Sequence, residues 1–319
     1  MSKIAIAIHG GAGPDSDHIK KNKEGYETGL RKALEAGFNI LANNGSAVDA
    51  VEAAVNALED NPLFNAGRGS AINAKGEVEM CASIMDGEKM KCGAVAIVKN
   101  VKNPISLAKA IMKNTDHIYL GGEGALDYAQ KINIALEPES YFITENQFEA
   151  YDKKRKEKYE SNHSIAREQI RERSHGTVGA VALDSDGNLA AATSTGGTEY
   201  NKEGRIGDSS MIGVGCFADN NTCAISTTGD GEYLIRGVIA HSVSSQMKYK
   251  ELSLEEACYE VLFKENKDTD GDMGMVSVDR EGNICMTFNS ERMHRASMTS
   301  PNDITIKIYK EEEEKDENS

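Results

Sequence analysis

The sequence has no apolar run long enough to cross a membrane, which would take roughly 18 to 20 residues. Its opening, MSKIAIAIHGGAG, has only a strand-sized apolar run, and no cleavage site of the signal-peptide type follows. Excess positive charge is also lacking: 36 Lys and Arg stand against 51 Asp and Glu, a formal net charge of −15. Electrostatic repulsion would therefore oppose binding to nucleic acid or to an anionic membrane. We expect a cytoplasmic protein with neither partner.

Several common motifs are missing as well. The six cysteines form no CxxC pair, so we expect unpaired thiols rather than disulfides or metal ligands. The chain has no HExxH, no GxSxG and no Walker A lysine, and HGGAG lacks the full GxGxxG spacing of a dinucleotide loop. Asp268, Asp270 and Asp272 alternate as in a calcium loop, but Met273 stands where that loop needs glycine. These absences argue against a nucleotide-binding loop and a calcium loop, and we expect no catalytic cofactor.

The pattern of apolar residues predicts an α+β protein. A strand over Lys3–Ile8 ends in glycines, and two amphipathic helices follow between residues 25 and 58, the second capped by Ser46. The second half is rich in strands, with a hairpin turn at residues 184–188 and one long helix at about 232–247. Strands and helices occur in blocks rather than in βαβ alternation. This order favours stacked sheets flanked by helices over a doubly wound parallel sheet.

Residues 144–174 change the character of the chain. The stretch YDKKRKEKYESNHSIAREQIRERS is dense in charge and has no clear apolar face, which is typical of an exposed helix or a disordered connector. The compact strand HGTVGAVALD follows at once. A charged connector that enters a buried strand indicates a proteolytic processing site.

Four glycine-rich segments with a hydroxyl or a charge at an apparent strand end lie between residues 175 and 232. They are HGTVG, TGG at 195–197, GRIGD at 204–208 and TTGDGE at 227–232. Each alone is typical of a turn. Glycine lets backbone N–H groups approach a ligand closely, so together these segments predict a binding or catalytic site.

These segments resemble the plant-type asparaginase and isoaspartyl peptidase family of N-terminal nucleophile hydrolases. The resemblance extends to IAIHGGAG, NPLFNAGRGSAINAKGEVEMCASIMDG and FNSERMHR, and so covers most of the chain. It implies a four-layer αββα sandwich, one domain made of fragments 1–176 and 177–319, with a charged mobile linker at about 144–176. It also implies a small-molecule or dipeptide substrate and a dimer of cleaved αβ heterodimers.

The resemblance implies self-cleavage of the Gly176–Thr177 bond, after which Thr177 is the nucleophile. Its freed α-amine, with a reference pKa near 8, would serve as the general base. Thr195 matches the threonine that orients this nucleophile. Thr228 and Gly229 match the oxyanion hole.

The substrate-binding residues also follow from the resemblance. Arg205 and Asp208 match the residues that hold the α-carboxylate and α-ammonium of the substrate, a pairing that suits a guanidinium and a carboxylate. Gly231 belongs to the same turn, and Asn65 matches an asparagine near the nucleophile. His175 precedes the cleaved bond, and we expect it to have at most a modest role in processing.

A structural sodium site is implied as well, held mainly by backbone carbonyls and without a role in bond breaking. The matching positions are Leu58, Glu59, Asn61, Phe64, Ala66 and Arg68.

Three alternatives fit the sequence less well. A glycosylasparaginase-like amidase would usually have Asp where this chain has Gly176, and a related threonine aspartase would lack the counterpart of Asp208. A non-catalytic binding protein that keeps the fold would be expected to lose Thr177 or Thr195.

Overall fold

The computed structural model describes residues 3–163 and 176–310. His175, most of the charged connector's second half and the acidic tail lie outside these residues. The described helices are α1 (Asp17–Lys21), α2 (Lys23–Ala42), α3 (Ala47–Glu59), α4 (Pro104–Asn114), α5 (Gly122–Lys131), α6 (Glu139–Phe142), α7 (Glu145–His163), α8 (Gly231–Gly237), α9 (Ile239–Lys250) and α10 (Leu254–Tyr259).

The described strands form a larger and a smaller sheet. They are β1 (Ala5–Gly13), β2 (Met80–Asp86), β3 (Lys91–Val98), β4 (Tyr119–Gly121), β5 (Val178–Leu183), β6 (Leu189–Thr195), β7 (Cys216–Ala218), β8 (Cys223–Gly229), β9 (Met273–Asp279), β10 (Ile284–Phe288), β11 (Arg292–Ser300) and β12 (Asp303–Tyr309). The eight-stranded sheet has the order β12-β11-β1-β5-β6-β2-β3-β4, and the four-stranded sheet has the order β10-β9-β8-β7. The named strands pair antiparallel except β3 and β4. The predicted mixed α/β class in one domain is confirmed.

Two apolar cores surround the larger sheet. One core lies between this sheet and helices α2 to α5, and it includes Ile6, Leu34 and Val55. The other lies between the two sheets and extends to α9 and α10, with Val181 and Val276 among its members. Because neighbouring strand residues point to opposite faces, β1 and β5 contribute alternate residues to both cores. The central strands β1 and β5 are therefore apolar except for His9, and they are buried on both faces.

Local signals explain several element boundaries. The Ser46 hydroxyl accepts a hydrogen bond from the Asp49 N–H and caps α3, as predicted. The predicted hairpin at 184–188 joins β5 to β6, because Asp184 Oδ1 accepts N–H bonds from residues 186 and 188 and Gly187 adopts a positive φ.

Two local predictions were wrong, and two strands were missed. The first strand does not end at Ile8 but continues to Gly13, because a register shift after His9 preserves its pairing with β11. The single helix expected at about 232–247 is two helices, separated by Val238 in the left-handed region. Strands β11 and β12 were not predicted at all.

The charged connector begins as helix α7, one of the predicted states, but its first turns are not fully exposed. Gln147 is buried, and its side-chain amide donates to the Gly69 carbonyl at 2.8 Å. Tyr151 packs against a small apolar cluster that contains Ile72 and Phe142. The exposed helix that the charge pattern predicts is therefore partly buried at its beginning.

Candidate active site

Thr177 lies directly before β5, at the centre of the larger sheet and only 3% exposed. Its neighbour Val178 pairs with Ser194 on β6, which brings the end of that strand beside it. The Thr177 hydroxyl oxygen is 3.4 Å from the hydroxyl oxygen of Thr195 and 3.4 Å from that of Ser209. Two hydroxyl groups therefore flank a buried third one.

The carbonyl group before Thr177 is held by side-chain donors. The Asn65 amide donates to the Gly176 oxygen at 2.8 Å, and the Thr195 hydroxyl donates to the same oxygen at 3.5 Å. Asn65 is itself fixed, because its amide also bonds the Gly197 oxygen at 2.7 Å and its carbonyl accepts the Ala71 N–H at 2.8 Å. The 176–177 peptide bond thus lies between a hydroxyl nucleophile and a positioned donor.

The end of β8 supplies the opposite wall. Thr228 Oγ1 accepts the Thr177 N–H at 3.3 Å and the Ala12 N–H at 3.1 Å. Since a hydroxyl group has two lone pairs and one hydrogen, Thr228 can still donate that hydrogen to a third group. Gly229 follows with φ of 133°, and a Cβ there would lie 2.1 Å from the Asp272 carbonyl. Only glycine fits at that position.

Arg205 and Asp208 converge on Gly231. A Cβ on Gly231 would lie 2.9 Å from Arg205 Nη2 and 2.9 Å from Asp208 Oδ1, so the absence of a side chain leaves room between the two groups. Arg205 also makes a bidentate ion pair with Glu232, at 3.0 and 2.9 Å. Arg205 and Glu232 line a cavity of about 600 Å³. The predicted residues of the substrate site are therefore brought together.

Asp208 is a buried carboxylate whose pKa rises to about 6. Burial is the largest cause, and it outweighs the charge of Arg205 and the hydrogen bond from Thr227 Oγ1 to Asp208 Oδ2 at 3.2 Å. Removing a carboxylate from water favours its neutral form. An ammonium group brought beside Asp208 would restore the charged form.

Sequence reasoning missed His9 and Ser209 as members of this site. His9 Nδ1 is 2.8 Å from the Thr177 carbonyl oxygen, and Nε2 is 2.8 Å from Ser226 Oγ. Complete burial lowers the pKa of His9 to about 3, so the ring is neutral at pH 7. The Nδ1–H can then donate to the carbonyl and fix the backbone of the nucleophile. The HGG and GDS motifs contain both residues, but pairing of β1 with β5 was needed to place His9.

The predicted sodium loop closes on itself, since the Arg68 N–H donates to the Glu59 carbonyl at 2.7 Å. Its backbone oxygens are a donor set that suits a hard cation. The Glu59 side chain is buried, and Ser194 Oγ donates to it at 2.6 Å. The loop is therefore tied to β6 one residue before Thr195.

Other features bear on cofactors and membranes. Within residues 3–163 and 176–310, no group of three or more His, Cys, Asp or Glu side chains is placed to hold a metal ion. No helix in the same ranges is long and apolar enough to cross a membrane. The six cysteines are free thiols.

The chain was compared with known proteins. A family model described as asparaginase matches residues 2–308. The isoaspartyl peptidase of Escherichia coli is 40% identical over 314 residues, covering 98% of each chain. The isoaspartyl peptidase/L-asparaginase of Homo sapiens is 40% identical over 314 residues, covering 96% of this chain and 99% of its own.

A plant relative shows the same extent of similarity. The probable isoaspartyl peptidase/L-asparaginase 2 of Arabidopsis thaliana is 38% identical over 331 residues, covering 97% of this chain and 100% of its own. Both the family match and these relatives span the segments that form the site around Thr177. The chain therefore belongs to the asparaginase family, whose model it matches over residues 2–308.

Proposed function

We propose that this chain is an autoprocessing amidohydrolase that cuts its own Gly176–Thr177 bond and then hydrolyses L-asparagine, β-aspartyl dipeptides or both. The arrangement that carries this proposal is the Thr177 hydroxyl between two other hydroxyls, beside a peptide carbonyl bonded by Asn65. The relatives' names, isoaspartyl peptidase and L-asparaginase, favour the same reaction.

Self-cleavage begins with attack of Thr177 Oγ on the carbonyl carbon of Gly176. The hydroxyl proton passes to the departing amine of Thr177, and the peptide bond is replaced by an ester. One water molecule then opens the ester and leaves a carboxylate on Gly176 and a hydroxyl on Thr177. The Asn65 amide, already 2.8 Å from the carbonyl oxygen, can stabilise the negative charge that develops there. The products are fragments 1–176 and 177–319.

Substrate hydrolysis uses the freed amine of Thr177 as general base, because its reference pKa near 8 lies close to neutral. The Thr177 hydroxyl attacks the side-chain amide carbon of the substrate, and ammonia or an amino acid leaves. Water then hydrolyses the aspartyl ester. Thr195 orients the nucleophile, and Thr228 with Gly229 would donate to the tetrahedral oxyanion, at about 3 kcal/mol for such a donor.

The α-amino acid group of the substrate, which carries its α-carboxylate and α-ammonium, would bind above Gly231. Arg205 would take its α-carboxylate and Asp208 its α-ammonium. Because Arg205 is paired with Glu232 in this structure, the substrate carboxylate must share or displace that pair. Asparagine and β-aspartyl dipeptides have the same α-carboxylate and α-ammonium groups, so this site suits the binding of both.

The remaining expectations also belong to this proposal. A structural sodium ion would be held by the carbonyls of the loop that ends at Arg68, and it would supply charge to fix the loop beside β6. The sheets and helices would form the four-layer αββα sandwich, and two cleaved heterodimers would pair. We place the enzyme in the cytoplasm, which its free thiols favour.

The test is hydrolysis by the cleaved protein. Release of ammonia from L-asparagine and of amino acids from β-aspartyl dipeptides would be measured for wild type, Arg205→Gln and Arg280→Gln. Arg205→Gln removes the contact with the substrate α-carboxylate and should lower kcat/KM roughly 100-fold. Arg280 is exposed, and its Nε donates to the Gly187 carbonyl at a hairpin turn outside the candidate site, so its variant should match wild type. A cleaved wild-type protein that hydrolyses neither substrate would contradict the proposal.

A further inference from the structure

A second cavity, of about 150 Å³, adjoins the cleavage site. Gly176, Gly10 and Asn65 line it together with Arg292 and His294 on β11, and it shares no lining residue with the cavity beside Arg205. We call it the Arg292–His294 cavity. The proposed reaction does not use it.

Arg292 is a buried cation, with only 4% of its surface exposed. Its guanidinium donates to two backbone carbonyls, at 3.1 and 3.4 Å, and to His294 Nδ1 at 3.0 Å. Within the described residues no carboxylate lies within ion-pair distance of it, and Asp15 and Asp272 act on it only from farther away. A buried charge without a counter-ion is costly, so this guanidinium favours a negatively charged neighbour.

His294 adds an oriented donor to the same cavity. A guanidinium can only donate, so Nδ1 of His294 must accept from Arg292 and the ring hydrogen lies on Nε2. That Nε2 is buried and has no partner among the described residues. The Tyr26 ring stacks on the imidazole with centroids 4.3 Å apart, which fixes the orientation of the ring. The N–H is thus buried without an acceptor among the described residues.

A guanidinium beside an N–H donor suits a carboxylate, which accepts from both. On the opposite wall Glu199 is acidic, but Lys154 lies 3.8 Å from its carboxylate and offsets that charge. The cavity therefore presents a net attraction to a small anion on its Arg292 side.

Gly176 lies within short reach of these donors. Arg292 Nη1 bonds the Gly11 carbonyl, and a Cβ on Gly11 would lie only 2.6 Å from the Gly176 Cα. The guanidinium and Gly176 thus contact the same residue of β1. Cleavage before Thr177 would create a carboxylate on Gly176, next to the cavity.

We propose that the Arg292–His294 cavity is a carboxylate-binding site whose occupant is the terminal carboxylate that Gly176 acquires on cleavage. The inference rests on the self-cleavage proposed above. Movement of this carboxylate to Arg292 takes the chain end away from Thr195 and leaves room for substrate over Thr177. The same ion pair retains the end of the first fragment on the enzyme.

The experiment measures how fast a broad-specificity carboxypeptidase removes Gly176 from the cleaved protein, followed by intact mass. Wild type, Arg292→Gln and His294→Phe would be compared, with Arg280→Gln as a control that removes an exposed charge. His294→Phe keeps an aromatic ring against Tyr26. It therefore still tests the proposal if Arg292→Gln fails to fold. We expect Gly176 to be lost about 10-fold faster in the first two variants and at the wild-type rate in the control. Equal trimming in all proteins would overturn the terminal carboxylate as occupant.

A second experiment distinguishes binding of a free carboxylate from binding of the terminal carboxylate of Gly176. The uncleaved Thr177→Ala protein would be melted in acetate and in chloride at equal ionic strength, with and without Arg292→Gln. If acetate raises the melting temperature only when Arg292 is present, the cavity binds carboxylates. If Gly176 is also trimmed at the same rate in all proteins, the carboxylate that the cavity binds comes from solution. No effect of acetate together with equal trimming would overturn the site itself. If wild type is never cleaved, its mass reveals that failure independently, and the acetate arm still decides the site.

Discussion

At the scale of single residues, the site combines groups that the sequence could name with contacts that it could not. The GRIGD and TTGDGE motifs identified Arg205, Asp208 and Gly231, and the structure brings them together. Pairing of Arg205 with Glu232 was not predictable, because it depends on where α8 begins relative to the preceding turn. The burial that raises the pKa of Asp208 to about 6 is likewise a property of packing between β8 and its neighbours, which no local pattern encodes.

The raised pKa of Asp208 predicts the acid limb of activity. As pH falls through about 6, Asp208 becomes neutral and loses its attraction for the substrate ammonium, so kcat/KM for asparagine should fall. Asp208→Asn should lower kcat/KM at pH 7.5 roughly 100-fold. The check is a pH profile of kcat/KM from pH 5 to 8 for both proteins.

The raised pKa of Asp208 also predicts that its replacement by asparagine increases the stability of the fold. Because the folded-state pKa of Asp208 lies above the unfolded value of 3.8, its ionisation costs stability progressively as pH rises from 3.8 to about 6, and that cost is constant at higher pH. Asp208→Asn removes that penalty and can still accept from Thr227, so it should unfold at a higher urea concentration at pH 7.5 and gain little at pH 4. A variant that is less stable than wild type at pH 7.5 would refute this reading of the carboxylate.

At the scale of elements, hydrophobic periodicity located most helices and the central strands, whereas backbone irregularities escaped it. The extension of β1 to Gly13 depends on its partner β11, which lies far along the chain and was not predicted. The alternation that would mark β11 is obscured, because RMHRAS buries charged and polar residues beside apolar ones. Two of these buried polar residues, Arg292 and His294, line the cavity beside Gly176.

Gly11 tests how closely β1 approaches the cleavage site. It has φ of 116°, and a Cβ would lie 2.6 Å from the Gly176 Cα, so Gly11→Ala should displace the scissile peptide. Since a displacement of about 1 Å can cost 100-fold in rate, we expect cleavage to slow about 100-fold. Gly124→Ala is the matched control, because nothing lies within 4 Å of the added atom. Gel analysis of cleavage over time decides, and equal rates for both variants would argue against close approach.

Val238 tests the break between α8 and α9. It is a β-branched residue at φ 46° and ψ 48°, and its side chain is 44% exposed, so glycine would relieve backbone strain with little loss of packing. Val238→Gly should raise the free energy of unfolding by about 1 kcal/mol. Lys248→Gly, in the regular part of α9, should instead lower it by about 1 kcal/mol. Urea titration measures the free energy of unfolding of both variants. Equal destabilisation by Val238→Gly and Lys248→Gly would contradict backbone strain at Val238.

At the scale of the whole molecule, strand pairing explains how cleavage could leave the fold intact. β1 precedes the proposed cleavage site and pairs with β5 and β11, which both follow it. β2 and β6 make a further pair across the same point. The two fragments would therefore share one sheet and its cores. Sequence alone predicted stacked sheets with flanking helices, but the order of strands depends on long-range pairing that no local pattern reveals.

The most direct test of the account is the intact mass and N-terminal sequence of purified wild-type protein after incubation at neutral pH, beside Thr177→Ala. The account predicts a fragment that begins Thr177-Val178-Gly179 in wild type, and an uncut chain in the variant. A wild-type chain that stays whole under every condition, or a Thr177→Ala chain that is cut at the same bond, would contradict the assignment of Thr177 as an N-terminal nucleophile.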